Sequence, residues 1–96
     1  MDSLTELLKD FAGALASATD APDGYPEWGY VTYESNMRDL KQLWAEIRPK
    51  LKRDVERVED INGMLQEMFD AFESGDRDRG RASVWALYNS DVKRLR

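Results

Sequence analysis

The chain has neither cysteine nor histidine among its 96 residues. Without cysteine it forms no disulfide and offers no thiolate nucleophile or thiolate metal ligand. Without histidine it has no imidazole base, no ordinary transition-metal ligand and no histidine-based pH switch. Composition alone therefore excludes serine–histidine hydrolysis, zinc chemistry and histidine-containing di-iron sites.

Long hydrophobic runs are also missing, because no stretch approaches the roughly 20 apolar residues of a membrane span. The first three residues place an acid, Asp2, where a signal peptide carries positive charge. Proline and glycine are few, whereas 42% of the residues are hydrophobic and 34% are charged. We therefore expect a single soluble, helix-rich domain over 1–96, located in the cytoplasm and without a membrane segment.

The first helix is predicted by both its start and its periodicity. Ser3 and Glu6 have the spacing of a capping box. Apolar residues then follow at helical spacing on one face: Leu4, Leu7, Leu8, Phe11 and Leu15. The pattern predicts a helix over about 3–19, ended by the turn-forming residues of 20–24.

Residues 20–34 form a predicted loop with an unusual content of aromatic side chains. It contains two prolines together with Tyr25, Trp28, Tyr30 and Tyr33. Tyrosine and tryptophan are enriched at binding hot spots, but they also anchor loops in small proteins that have little core. The loop is therefore either a recognition surface for a partner or a structural lid over the helices, and we predict these four aromatics as partner-binding residues.

The middle of the chain carries an apolar heptad pattern with one exception, Asp54. Its positions are Met37, Leu40, Trp44, Ile47, Leu51, Val58, Ile61, Leu65, Met68 and Phe72. Five heptads in one phase predict a long helix over about 35–74 that is capped by Ser35 and is kinked but continuous at Pro49. The alternative is a break at which Pro49 begins a new helix. Gly75 is a natural stop for the long helix. A last helix is predicted over about 80–95, with Val84, Trp85, Tyr88, Val92 and Leu95 on its apolar face.

These lengths predict an elongated, all-α, three-helix protein. About 40 residues of helix would extend roughly 60 Å. The apolar stripe along that length is too large for two short helices to cover. We therefore predict a homodimer in which the seam of the long helix pairs with a second copy. The predicted self-association residues are Trp44, Leu51, Asp54, Val58 and Leu65. For Asp54 three roles stay open: an ion pair with Lys50 or Arg57, fixing the register of the dimer, or an edge position.

Charge is unevenly distributed along the chain. Residues 58–74 carry five acidic side chains and no basic one, within a net charge of −5 for the whole chain. This segment predicts an acidic partner-binding face formed by Glu59, Asp60, Glu67 and Asp70. Basic residues cluster in 48–57 and 77–96, but no helix-turn-helix or other nucleic-acid motif is present, so direct nucleic-acid binding is not expected.

Two patterns of acidic residues resemble metal sites in part. One pattern consists of carboxylates paired at i, i+3 spacing: Glu56, Glu59, Glu67 and Asp70. All-α nucleotide hydrolases bind magnesium with carboxylate pairs of this kind, but the heptad positions of these four residues point away from the apolar seam. Counted from Asp76 as a calcium loop, position 6 is Arg81 and position 12 is Leu87, which departs from the EF-hand pattern. We expect no metal and no cofactor.

The residues thus favour a non-catalytic protein–protein interaction module, such as a small adaptor, regulator or inhibitor. The alternative is an acidic inhibitor or DNA mimic that occupies a basic, nucleic-acid-binding surface of its target. A third class, a carboxylate-metal nucleotide hydrolase, is the least favoured.

Overall fold

A computed structural model describes residues 3–27 and 29–96. It contains four α-helices: α1 at Leu4–Ala18, α2 at Tyr33–Ile47, α3 at Arg57–Glu73 and α4 at Arg77–Tyr88. Two short 3₁₀ turns, Arg48–Lys50 and Val92–Arg94, follow α2 and α4. The regular structure of these residues is entirely helical, which confirms the predicted fold class.

The apolar stripe of α1 is the centre of the core. The Ser3 side chain accepts a hydrogen bond from the Glu6 N–H at 3.2 Å and so caps the helix as its spacing predicts. Phe11 is fully buried and stacks on Trp44 of α2, with ring centroids 5.7 Å apart. Helix α1 packs against both α2 and α4, so its position fixes the arrangement of the other helices.

The predicted continuous helix over 35–74 is wrong. Helix α2 starts at Tyr33 with Thr32 as its N-cap, and Ser35 completes a capping box from inside the helix. The helix ends at Ile47 and turns through the 3₁₀ segment that contains Pro49, whose missing N–H interrupts the α-helical hydrogen bonds. Leu51 is extended, and helix α3 begins six residues later.

The heptad phase continues across this break because both helices bury their stripes in the same core. Leu40, Ile47, Ile61 and Met68 are all fully buried within one chain. The chain therefore folds back on itself, with a radius of gyration of 12.9 Å and extents of 36 × 26 × 19 Å. The predicted elongated shape, with its three helices and a length of about 60 Å, is wrong for the same reason.

Helices α3 and α4 form a hairpin with a well-defined turn. Gly75 has a φ of +84°, and its N–H and that of Asp76 donate to the carbonyls of Phe72 and Ala71, as in a Schellman motif. The Asp76 side chain then caps α4. Helix α4 therefore starts three residues before the predicted position 80, which places Gly80 inside the helix, buried against Phe72.

The predicted helix over 80–95 also ends early, at Tyr88. Asp91 has a φ of 55°, a left-handed conformation that an α-helix does not accommodate, and a 3₁₀ turn follows it. Val92 and Leu95 are nevertheless buried, as their spacing suggested. Trp85 and Tyr88, which the same pattern placed on the apolar face, are instead 50% and 42% exposed.

Candidate interaction surfaces

Tyr25 attaches the aromatic loop to two helices. Its hydroxyl donates to Asn36 Oδ1 at 2.6 Å, and the Asn36 amide in turn donates to the Ala14 carbonyl at 3.0 Å. Asn36 is the one polar residue among the described residues that is buried. Desolvation by burial, reinforced by the neighbouring Tyr33, raises the pKa of the Tyr25 phenol well above its ordinary value. Tyr25 is therefore an anchor of the loop.

Tyr33 anchors the other end of the loop. Its ring packs edge-to-face on Phe72 of α3, with centroids 6.0 Å apart. Partial burial, followed by the negative charge of Glu73 and Glu34, raises the pKa of the Tyr33 phenol. The lid interpretation thus fits the two flanking tyrosines.

Tyr30 differs from both anchors, because its side chain is 99% exposed. The next residue, Val31, is 41% exposed and lines a groove of about 530 Å³ between α1 and α2. Gly13, Ala14 and Leu43 supply the apolar part of this groove, and Asp10 and Asp39 lie along it. Trp28, the fourth predicted aromatic, lies outside the described residues.

The predicted acidic face is on the outer side of α3. Glu59, Asp60, Glu67 and Asp70 are all exposed. Glu67 forms an ion pair with Arg79 at 3.4 Å, and Asp70 accepts a hydrogen bond from Gln66 at 2.9 Å. In the part of the chain that the structure describes, the other two have no ion-pair partner. One helix therefore presents all four carboxylates to solvent.

The residues predicted for self-association lie in the core or near its edge. Trp44, Leu51 and Leu65 are buried, and the Trp44 indole donates to Asn62 Oδ1. Val58 is half-buried against the core. Asp54 is half-buried, and among the described residues it forms no ion pair with Lys50 or Arg57. Its carboxylate instead accepts a hydrogen bond from the main-chain N–H of Arg96 at 2.8 Å. The structure thus gives each of these residues a contact within its own chain.

An aromatic pair on α4 was missed by sequence reasoning. Trp85 and Tyr88 are in edge-to-face contact, with centroids 5.8 Å apart, on the solvent side of the helix. The signal that could have found them is the neighbouring pair Val84 and Leu87, which is fully buried. Val84 and Leu87 define the buried face of α4, and position 85 is about 100° away from position 84 around the helix. The side chain at position 85 therefore points away from the buried face.

Several basic side chains have structural partners. Arg81 donates to the carbonyls of Ala21 and Asp20 just after α1, at 2.7 and 3.4 Å, and lies 3.7 Å from Asp23. Arg57 donates to the Ser90 carbonyl after α4. Cations at these positions stabilise the carbonyl ends of helices, so part of the basic clusters is explained by the fold.

No three carboxylates of residues 3–27 and 29–96 are grouped so that they could hold a metal ion. Over the same residues, each helix is too short or too polar to cross a bilayer. Comparison of the chain with protein-family models, curated proteins and solved structures gives no match.

Proposed function

We propose that this protein is a non-catalytic protein–protein interaction module that binds its partner through the aromatic loop. The observation that carries the proposal is the contrast between three tyrosines of one loop. Tyr25 and Tyr33 are fixed to the helices, whereas Tyr30 between them is 99% exposed. The fold thus holds both ends of the loop and leaves a large aromatic side chain for a partner.

This arrangement favours binding for a physical reason. A loop that is already ordered loses less conformational freedom when a partner binds, so more of the contact energy contributes to affinity. Tyrosine adds a large contact area with only two side-chain torsions to restrict, and it is enriched among hot-spot residues. The groove beside Val31 gives the partner an adjoining concave surface.

The test is affinity capture from the native cell with wild-type protein and Tyr30→Ala. Val55→Ala is a matched control, because Val55 is an exposed apolar side chain, 56% exposed, on the connection between α2 and α3. A partner that is retained by wild type and by Val55→Ala but weakened at least about 30-fold by Tyr30→Ala, the hot-spot threshold of about 2 kcal/mol, supports the proposal. A partner bound equally by all three proteins contradicts it.

The second candidate is an acidic inhibitor that occupies the nucleic-acid-binding surface of its target. Five carboxylates of α3, from Glu59 to Glu73, lie along roughly 21 Å of helix, which is an average spacing of about 5 Å. One strand of DNA carries about one charge per 3.4 Å, so the charge density of α3 approaches that of a DNA strand. This observation supports the alternative without favouring it over the loop.

Salt dependence separates the two candidates. Binding through α3 should weaken steeply with added salt, because screening removes long-range attraction, and reversing Glu59, Asp60, Glu67 and Asp70 to lysine should abolish it. Binding through Tyr30 should tolerate salt and survive that reversal. The melting temperature of each variant is the control for folding.

The homodimer stays a prediction. The apolar residues on which it depended pack within one chain, so any dimer would form through other faces. Sedimentation at micromolar concentration distinguishes a dimer from a chain of 11.1 kDa.

A further inference from the structure

The cleft formed by α1, α4 and the 3₁₀ turn Val92–Arg94 includes two side chains, Tyr88 and Lys93, that the proposed function does not use. It is lined by Lys9, Ala12, Gly13, Ala16, Tyr88 and Lys93, with a volume of about 180 Å³. Trp85 extends its aromatic wall by packing against Tyr88. We propose that this cleft binds an acidic segment of a partner protein, with an apolar side chain inserted between the two lysines.

Charge complementarity indicates an acidic partner. Two of the six lining residues are lysines and none is acidic, although the chain as a whole carries a net charge of −5. Both lysines are exposed, and among residues 3–27 and 29–96 neither has an ion-pair partner. A carboxylate on each side of an inserted side chain would satisfy them.

The volume indicates a segment of a larger molecule. Small-molecule sites usually begin at roughly 300 Å³, so this cleft accommodates only one or two side chains. The exposed Trp85 and Tyr88 provide the aromatic surface that is common at protein-binding hot spots.

Gly13 is the one lining residue of the cleft that has no side chain. It lies inside α1, where glycine destabilises a helix relative to alanine. No atom lies within 4 Å of the position that a Cβ would occupy, so the fold itself does not require glycine there. Glycine at this position leaves room for a partner segment to approach the α1 backbone closely.

The cleft and the groove beside Val31 share Lys9 and Gly13, but Tyr30 lines neither, and Tyr88 and Lys93 line the cleft alone. The inference shares with the proposed function the class of partner. The variants Tyr30→Ala and Trp85→Ala distinguish failure of the one from failure of the other.

The test is selection of phage-displayed random dodecapeptides on immobilised wild-type protein. We expect enriched peptides with acidic residues flanking an aliphatic or aromatic one, and their affinity should fall about tenfold or more in the double variant Lys9→Glu, Lys93→Glu and in Trp85→Ala. Tyr30→Ala should bind them unchanged, which separates this result from the proposed function.

Gly13→Leu provides the sharpest variant, with Gly63→Leu as its matched control. Both glycines lie inside helices, and neither has an atom within 4 Å of its absent Cβ. Both variants should therefore fold with an unchanged or raised melting temperature, since leucine is a better helix former. Only Gly13→Leu should prevent peptide binding.

Four results would overturn the inference. They are no enrichment above the starting library, enrichment of basic or uncharged peptides, equal binding by Gly13→Leu and Gly63→Leu, and displacement of the selected peptides by duplex DNA at equal concentration. The last result would assign the cleft to nucleic acid.

Discussion

The carboxylate of Asp54 accepts a hydrogen bond at 2.8 Å from the main-chain N–H of Arg96, a residue 42 positions further along the chain. The main-chain oxygen of Arg96 accepts three bonds in return, from the N–H groups of Lys52, Arg53 and Asp54 at 2.9–3.0 Å. Successive N–H groups that converge on one oxygen form a nest, which favours negative charge. This reciprocal contact joins the segment after α4 to the connection between α2 and α3.

We expect Asp54→Ala to lower the free energy of unfolding by about 1–2 kcal/mol. The variant removes a hydrogen bond to a charged acceptor, and partial exposure limits the loss. Urea denaturation measures the change. Glu56→Ala is the control, because it removes an exposed carboxylate from the same connection. Equal stability of the two variants would show that the contact with Arg96 contributes nothing.

Asp54 also shows what periodicity leaves out. The heptad pattern places it as the one charged position on an apolar seam, which suggests side-chain partners, but the residue lies in the connection between α2 and α3. Its actual partner is a main-chain N–H, which every non-proline residue carries and no side-chain pattern reports. Long-range contacts of this kind become visible only when the chain path is known.

Alkaline pH should destabilise the protein through Tyr25. Its pKa in the folded state is raised by burial above the ordinary value of 10.0, so the fold favours the neutral phenol. This contribution is complete below about pH 10, the unfolded value, and is lost as pH rises towards the folded pKa. The phenolate also cannot donate to Asn36.

Tyr25→Phe isolates this effect from the titration of lysines. At neutral pH the variant should lose about 1–2 kcal/mol, because Asn36 Oδ1 is left buried without its donor. Above pH 10 the difference from wild type should shrink, because the phenol then ionises in the unfolded wild type while the fold still holds it neutral. Melting temperatures of both proteins between pH 7 and about 11 measure it, and a constant difference across that range would contradict the assignment.

Two glycine-to-alanine substitutions should have opposite effects. A Cβ at Gly80 would overlap the ring of Phe72, so Gly80→Ala should destabilise the fold by about 1–3 kcal/mol. A Cβ at Gly63 meets no atom within 4 Å, so Gly63→Ala should stabilise α3 by about 0.5–1 kcal/mol. Thermal unfolding compares them, and a stable Gly80→Ala would mean that Phe72 moves easily.

The helix boundaries illustrate how far local signals extend. The Ser3 cap, the Gly75 stop and the apolar faces of α1, α2 and α3 were predictable because neighbouring residues determine them. The break after Ile47 was harder to predict, because the same stripe continues beyond it and a fold that reverses direction buries both halves equally well. The exposure of Trp85 was missed because its own hydrophobicity outweighed the position of its buried neighbours. The exposure of Tyr30 could not be predicted, because it depends on which tyrosines contact the helices.

The last prediction concerns Leu51, which sequence reasoning placed between two copies of the chain. In the structure it is 5% exposed, and its segment connects α2 to α3 over the core. Leu51→Asp should therefore unfold the protein, because it removes a buried side chain and places an unpaired charge in the core. The combined cost of about 3–5 kcal/mol is a large share of the 5–15 kcal/mol that stabilises a domain.

Circular dichroism and sedimentation together decide this. Leu51→Asp should lose helical signal at 25 °C or melt far below wild type, whereas Val55→Asp, at an exposed position four residues later, should retain both. A Leu51→Asp protein that stays helical but sediments with a lower mass than wild type would place Leu51 in an interface between copies. In that case the packing of Leu51 within one chain would contribute little to folding, and the predicted dimer would regain its support.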